Sequence, residues 1–183
     1  MEWIDLKTIY TIGHVLGAVI GVGGAYMSDI MFFSSVKNRI INRSEMRFLK
    51  IGSNFVWLGL FILILSGILL FFTNPERYID SSKFLIKMFI VLIIFLNGLV
   101  FHFMHLPLLK RHVGMKYDLS KEFIKKKNLL IVSGVVSVSS WTFALILGSM
   151  RSIPIDFTSA LVIYLLFEVV AVSGSLIFAK KLF

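Results

Sequence analysis

Five uninterrupted apolar runs constrain the fold of this chain more than any other feature of its sequence. Each run is roughly 20 residues or longer, which is enough for a helix to cross about 30 Å of hydrocarbon. The runs cover approximately residues 8–31, 49–72, 84–108, 128–150 and 157–179. Of the 183 residues, 57% are hydrophobic and only 16% are charged, whereas a soluble domain is about one-quarter charged. The sequence therefore predicts an all-α polytopic membrane protein, with residues 1–183 forming a single bundle of five transmembrane helices.

Basic residues are divided unevenly between the two sides of such a bundle. Most of the 19 lysines and arginines fall in the loops after the first and third runs and at the C-terminus. The other side carries only Lys7, Arg77, Lys83, Lys87 and Arg151. Because short loops rich in Lys and Arg stay in the cytoplasm, we expect the N-terminus outside and the C-terminus in the cytoplasm. The basic loops are expected to contact anionic lipids of the bilayer's cytoplasmic face. No nucleic-acid partner is expected, because no base-reading pattern accompanies the charge.

Ionisable side chains inside the apolar runs are the candidate functional residues, because a charge at membrane depth is costly. Helices laid side by side at about 1.5 Å per residue sort these side chains by depth. His14 and Lys87 share a level in the outer half of the membrane, and Glu168 lies near the middle. A third group lies toward the cytoplasmic ends of the first and third runs and consists of Asp29, His102 and His105. On parallel helices His14 and His102 are about 20 Å apart, so they cannot be the two axial ligands of one haem.

The first run combines a histidine with a stripe of small residues, in the sequence GHVLGAVIGVGGAYMSD over 13–29. At about 100° per residue, His14, Gly17, Gly21 and Gly24 fall on one helix face. Small residues at this spacing let a neighbouring helix approach closely, either within the bundle or in a homo-oligomer. They would equally let a porphyrin lie against the backbone below a histidine ligand. The sequence leaves both alternatives open.

The other intramembrane residues also have a structural and a chemical interpretation. Lys87 either extends its ammonium to the membrane surface or serves as a partner of an anionic group or as a proton donor. Glu168 is too deep to reach the surface, so we expect it to be paired or to relay protons. The partners considered for this carboxyl group are Asn97, Ser137, Ser140 and Tyr164. The cytoplasmic group of Asp29, His102 and His105 is either a site for a divalent metal or a set of hydrated interfacial side chains.

Three short motifs resemble those of a group of small bacterial membrane proteins. They are His14 with its following small residues, LILSG over 63–67, and KMFIVL over 87–92. Together they are similar to HemJ-type protoporphyrinogen oxidases and to the membrane domain of CopD-type copper-resistance proteins, over roughly residues 7–105. The chain departs from the HemJ pattern after His14, where aromatic and arginine features are replaced by the glycine run and Ser28-Asp29.

The resemblance implies a haem b protein of the bacterial cytoplasmic (inner) membrane that takes part in redox chemistry or electron transfer. His14 would bind the haem iron, Gly17 and Gly21 would lie against the porphyrin, and Lys87 would lie near the propionates or the distal side. Lys87 and Glu168 are then the catalytic candidates of a membrane oxidoreductase with a separate redox partner. The alternative function is a small copper-type metal transporter or metal-handling protein that uses Asp29, His102 and His105.

Overall fold

The computed structural model of the protein describes residues 5–38, 40–116 and 120–182. Its helical elements are α1 (Leu6–Asn38), α2 (Arg43–Thr73), α3 (Pro75–Ile79), α4 (Ser82–Val100), a π-helical turn (Phe101–His105), α5 (Leu106–Arg111), α6 (Lys121–Ser149) and α7 (Phe157–Leu182). The stretches long and apolar enough to cross a membrane are Leu6–Ser35, Arg43–Thr73, Ser82–Arg111, Lys121–Ser149 and Phe157–Ala179. The predicted all-α fold with five such helices is confirmed, and no strand occurs in the described ranges. Which side of the membrane each end of the bundle faces stays a prediction.

Large apolar side chains cover the outside of the bundle. Val19 on α1, Phe61 on α2 and Val170 on α7 are among those that are more than half exposed. In water a continuous apolar surface of this kind would favour aggregation, whereas lipid tails solvate it without penalty. The exposed surface therefore agrees with a bundle that is surrounded by lipid.

Glycines bring α1 and α2 into contact at the level of their backbones. A methyl group added at Gly24 would lie 2.8 Å from the carbonyl oxygen of Gly52, and one added at Gly59 would collide with the backbone of Gly21. Real side chains do not tolerate such distances, so only glycine permits this approach at these positions. Packing of this type replaces the hydrophobic effect as the force between helices, since lipid tails are as apolar as the helix surface.

The two loops at one end of the bundle contact each other. Most of the basic residues lie in these loops and in the adjoining helix ends, so we call this end the basic end. Ile41, between α1 and α2, pairs with Val113, between α5 and α6. The backbone N–H of Gly114 donates to the carbonyl oxygen of Ile41 at 2.8 Å. Gly114 has a φ of +80°, a conformation that other residues rarely adopt. At the start of α2, the Asn42 and Glu45 side chains each accept a hydrogen bond from the other residue's backbone N–H, which closes a capping box.

Two apolar clusters fill the interior, one at each end of the bundle. The basic-end cluster consists of Phe32, Ile41, Leu49, Leu108, Leu109, Phe123, Leu130 and Ile131. The opposite-end cluster consists of Ala25, Leu60, Ile86, Ile90, Ile94, Trp141, Leu147, Ala160 and Tyr164. Along α1, α2 and α6 the buried members of the two clusters are separated by about two to three helical turns, and several polar side chains lie in this interval. The bundle therefore contains a polar layer between two apolar ones.

We predict that Gly59→Ala lowers the free energy of unfolding by about 3 kcal/mol, because its methyl group forces α1 and α2 apart and overpacks the interface. Thermal unfolding of the detergent-solubilised protein measures the change. Gly23→Ala is the matched control, because a methyl group there meets nothing within 4 Å and alanine favours a helix. Equal melting temperatures for the two variants would contradict the glycine contact.

Candidate functional site

The polar layer contains a cavity of about 40 Å³ between α1, α2, α4 and α6, large enough for a few water molecules. Polar side chains from all four helices line it, together with two indole rings. The lining side chains that carry the chemistry are Ser28, Asp29, Ser53, Trp57, Asn97, Ser133, Ser137 and Trp141. A polar space of this kind at membrane depth is a candidate binding site.

Three of the cavity's polar atoms have no hydrogen-bond partner within the described part of the chain. They are Ser28 Oγ, Asp29 Oδ2 and Trp141 Nε1, and all three are closed off from the outside. Ser28 is 7% exposed and Trp141 is 1% exposed, whereas Asp29 is partly buried as a residue. An unsatisfied buried polar group costs about 1–3 kcal/mol, and an ionised one costs more. Three such groups around one space indicate that something polar occupies it.

Two features of α4 and α6 shape the cavity wall beside Asp29. Asn97 Nδ2 donates to the carbonyl oxygen of Ser133 at 2.9 Å, and Ser133 Oγ donates back to Asn97 Oδ1 at 2.7 Å. This reciprocal pair ties α4 to α6 beside the carboxyl group. A methyl group at Gly134 would lie 2.9 Å from Asp29 Oδ1, so the absence of a side chain at that position makes room for the carboxyl group.

The predicted metal cluster of Asp29, His102 and His105 does not form. Asp29 faces the cavity, whereas His102 is exposed and lies edge-on to the Trp57 ring at 6.4 Å between centroids. His105 is buried at 1% exposure, with an unpartnered Nε2 of its own. Both histidines belong to the π-helical turn, whose wider winding changes the direction of successive side chains. Among the described residues, no three His, Asp or Glu side chains converge as metal ligands would.

His14 is anchored to α2 through one ring nitrogen. Its Nδ1 lies 3.1 Å from the carbonyl oxygen of Leu63 and 3.1 Å from Ser66 Oγ. Because a carbonyl can only accept, Nδ1 carries the hydrogen in this arrangement, and Ser66 Oγ is free to donate to the carbonyl oxygen of Ile62 at 2.6 Å. The assigned tautomer leaves a lone pair on Nε2, which has no hydrogen-bond partner in the ranges that the structure covers.

Lys87 forms no hydrogen bond or ion pair with His14 among the described residues. Lys83, one turn earlier on α4, donates from Nζ to the carbonyl oxygen of Met150. A site shared by His14 and Lys87, and a catalytic role of Lys87, stay predictions.

The glycine stripe of α1 is covered by protein. A methyl group at Gly17 would lie 2.7 Å from the backbone nitrogen of Leu63, and one at Gly21 would collide with the Trp141 ring. In this structure α2 and Trp141 occupy the space against the two glycines, as the helix-packing alternative requires. A cofactor against Gly17 and Gly21 stays a prediction, and it would require these contacts to open.

Glu168 lies in a cluster of hydroxyl groups between α6 and α7. Ser139 Oγ lies 2.8 Å from Oε1 and 2.7 Å from Oε2 and can donate to either oxygen, and Ser140 Oγ lies 3.2 Å from Oε1. The Tyr164 hydroxyl is 2.8 Å from Ser140 Oγ. Of the partners considered from the sequence, Ser140 contacts the carboxyl group directly and Tyr164 contacts it through Ser140. Ser139, the nearest partner, was missed, because the run SVSSW does not reveal which of its serines faces α7.

We predict that Ser139→Ala lowers the free energy of unfolding by about 1–3 kcal/mol, because it removes the closest hydroxyl partner of the buried Glu168 carboxyl group. Chemical or thermal unfolding in detergent measures the loss. Ser175→Ala on α7 is the control, because the Ser175 hydroxyl bonds only the Val172 carbonyl of its own helix. If Ser139→Ala unfolds like the wild type while Glu168→Ala does not, the hydroxyl cluster is not what stabilises the carboxyl group.

Comparison with known proteins assigns the chain to no family. No protein-family model matches it, and neither a curated protein nor a solved structure does. The similarity to HemJ-type and CopD-type proteins therefore stays a prediction from short motifs. Function has to be argued from the chemistry of the site, because a helical bundle alone does not specify one.

Proposed function

We propose that the protein is a membrane transport protein that binds a small polar solute in the cavity around Asp29. The observation that carries the proposal is that three buried polar atoms without a partner among the described residues, Ser28 Oγ, Asp29 Oδ2 and Trp141 Nε1, belong to side chains that line one cavity. A purely structural core would pair these atoms or replace them with apolar groups, since each one destabilises the fold when it is left alone. A polar solute, alone or with bound water, satisfies all three if it offers a donor or a positive charge to the two oxygens and an acceptor to the indole N–H.

The position of the cavity supports transport over a static role. It lies between the two apolar clusters, each of which closes one end of the bundle. Gly98 and Phe101 place its edge where α4 gives way to the π-helical turn. Local departures from α-helical geometry are common at functional sites, and interrupted helices border the solute sites of many transporters. To open the cavity to one side of the membrane, only the apolar cluster at that end would have to rearrange.

The lining of the cavity argues against the copper-type alternative. Copper(I) is held by the sulfur of Cys or Met, and Cu(II) by imidazole nitrogen. The chain has no cysteine, and neither methionine nor histidine lines the cavity. The transport proposal therefore keeps the idea of a transporter from the sequence but moves the site from the histidines to Asp29 and its hydroxyl neighbours.

We expect Asp29→Asn to reduce transport at least tenfold, because it removes the charge of the cavity while preserving its shape. Purified protein in liposomes is given inward gradients of H⁺, Na⁺ and K⁺ in turn, and pH-sensitive dye and tracer uptake are recorded. Asp156→Asn is the matched control: it makes the same change at the exposed start of α7, where asparagine still caps the helix. Absence of flux for every probe in the wild type, or equal flux in Asp29→Asn, would refute the transport proposal.

A second candidate function, haem b binding with membrane redox chemistry, is favoured by the hydrogen bonding of His14. Ligating histidines usually donate their second ring N–H to a carbonyl or similar acceptor, as Nδ1 does toward Leu63. Nε2 is then the nitrogen available to iron. Because α2 and Trp141 cover the glycine stripe, the haem would have to approach from another side of His14. Bound haem would supply one-electron chemistry, with Lys87 as the nearest basic group for a propionate.

The haem candidate predicts a Soret band when hemin is titrated into the purified protein. His14→Ala should abolish the band or shift it, and Ser66→Ala should weaken binding about tenfold because it removes a group that orients the ring. His102→Ala, which changes an exposed histidine, is the control and should leave the spectrum unchanged. A spectrum with no band in the wild type, or one that His14→Ala leaves intact, excludes His14 as a haem ligand.

A further inference from the structure

We propose that the solute of the Asp29 cavity is a small monovalent alkali cation of the sodium class, bound together with water. This inference rests on the proposed function only for the choice of cavity, and it adds the charge, chemical class and hydration of the ligand. Three properties of the lining support it: the single carboxyl group of Asp29, the oxygen donor atoms, and the indole N–H of Trp141, which cannot ligate a cation.

The ionisable group of the cavity favours a ligand that carries a single positive charge. Among the residues that the structure describes, Asp29 is the only ionisable side chain that lines it, and no Lys, Arg or His accompanies it. One monovalent cation neutralises an ionised Asp29, so the pair carries no net charge into the membrane. A divalent ion would leave one uncompensated positive charge there, and an anion would leave two negative charges, both of which are costly at membrane depth.

The donor atoms select a hard cation. The lining offers the carboxylate of Asp29 and the hydroxyl groups of Ser28, Ser53 and Ser137, with no sulfur and no imidazole. Oxygen donors suit hard ions. The side-chain amide of Asn97 already forms two hydrogen bonds with Ser133. It therefore forms part of the cavity wall, and its oxygen adds to the oxygen-rich lining. An alkali cation is the monovalent ion that this oxygen set fits.

The indole of Trp141 requires water beside the ion. Nε1 is a donor only, so it cannot ligate a cation, yet it is buried in the cavity lining without a partner. A water molecule that coordinates the cation with one lone pair can accept the indole N–H with its other lone pair, and the oxygen of a second water can accept it in the same way. The volume of about 40 Å³ holds a small ion with a few such waters. It is too small for an organic cation such as choline.

The experiment measures cation binding without requiring transport. The melting temperature of the purified protein in detergent is recorded in NaCl, KCl and choline chloride at equal ionic strength, and with added MgCl₂ or CaCl₂. We expect sodium to raise the wild-type melting temperature by roughly 5 °C or more at 100 times its dissociation constant. Asp29→Asn should lose this increase, and Asp156→Asn should keep it. Ser28→Ala should weaken sodium binding about tenfold, which provides a test should Asp29→Asn fold poorly.

Each outcome decides the inference separately from the transport proposal. Stabilisation by magnesium or calcium that equals or exceeds that by sodium overturns the argument from charge. Equal or greater stabilisation by potassium refutes the assignment to the sodium class, and a wild type whose melting temperature no cation changes refutes the cation site. A proton flux that depends on Asp29, without any effect of sodium on melting, keeps the transport proposal and refutes the sodium site. Sodium-dependent melting that requires Asp29, without flux in liposomes, keeps the sodium site and refutes transport.

Discussion

The backbone contact between α1 and α2 is the interaction on which the rest of the structure depends. Gly24 and Gly59 allow the two helices to touch at Gly52 and Gly21, which no larger residue would permit. Dispersion and backbone complementarity have to hold the helices together here, because lipid competes for apolar contacts. The contact fixes the rotation of α1 about its axis, and this rotation decides where each polar residue on α1 points.

Three consequences for α1 follow from that rotation. Near one end, His14 reaches Leu63 and Ser66 on α2. In the middle, Gly21 receives the Trp141 ring of α6. Nearer the basic end, Asp29 faces the gap left by Gly134. A loss of the glycine contact would therefore disturb the histidine anchor and the Asp29 cavity together, although they lie at different depths.

Polar groups at membrane depth are satisfied in two different ways in this bundle. Around Glu168, Ser139, Ser140 and Tyr164 form a closed set of hydrogen bonds, so the carboxyl group has a structural explanation. Around Asp29, three buried polar atoms of the cavity lining, Ser28 Oγ, Asp29 Oδ2 and Trp141 Nε1, have no partner among the described residues. Since both carboxyl groups face the same energetic penalty, the difference between them is what distinguishes a packing residue from a candidate binding residue.

The sequence by itself determined the helical membrane fold, the approximate ends of the spans, and a list of intramembrane polar residues, because length and hydropathy depend only on local composition. It also placed Ser140 among the four candidate partners of Glu168 but did not single it out. Only the tertiary structure decided which neighbour each face meets: α2 lies against Gly17 and Trp141 lies against Gly21. It also separated Asp29 from His102 and His105, because depth along a helix leaves rotation about its axis undetermined. Rotation is set by interhelical packing and by the π-helical turn, and neither can be deduced from hydropathy.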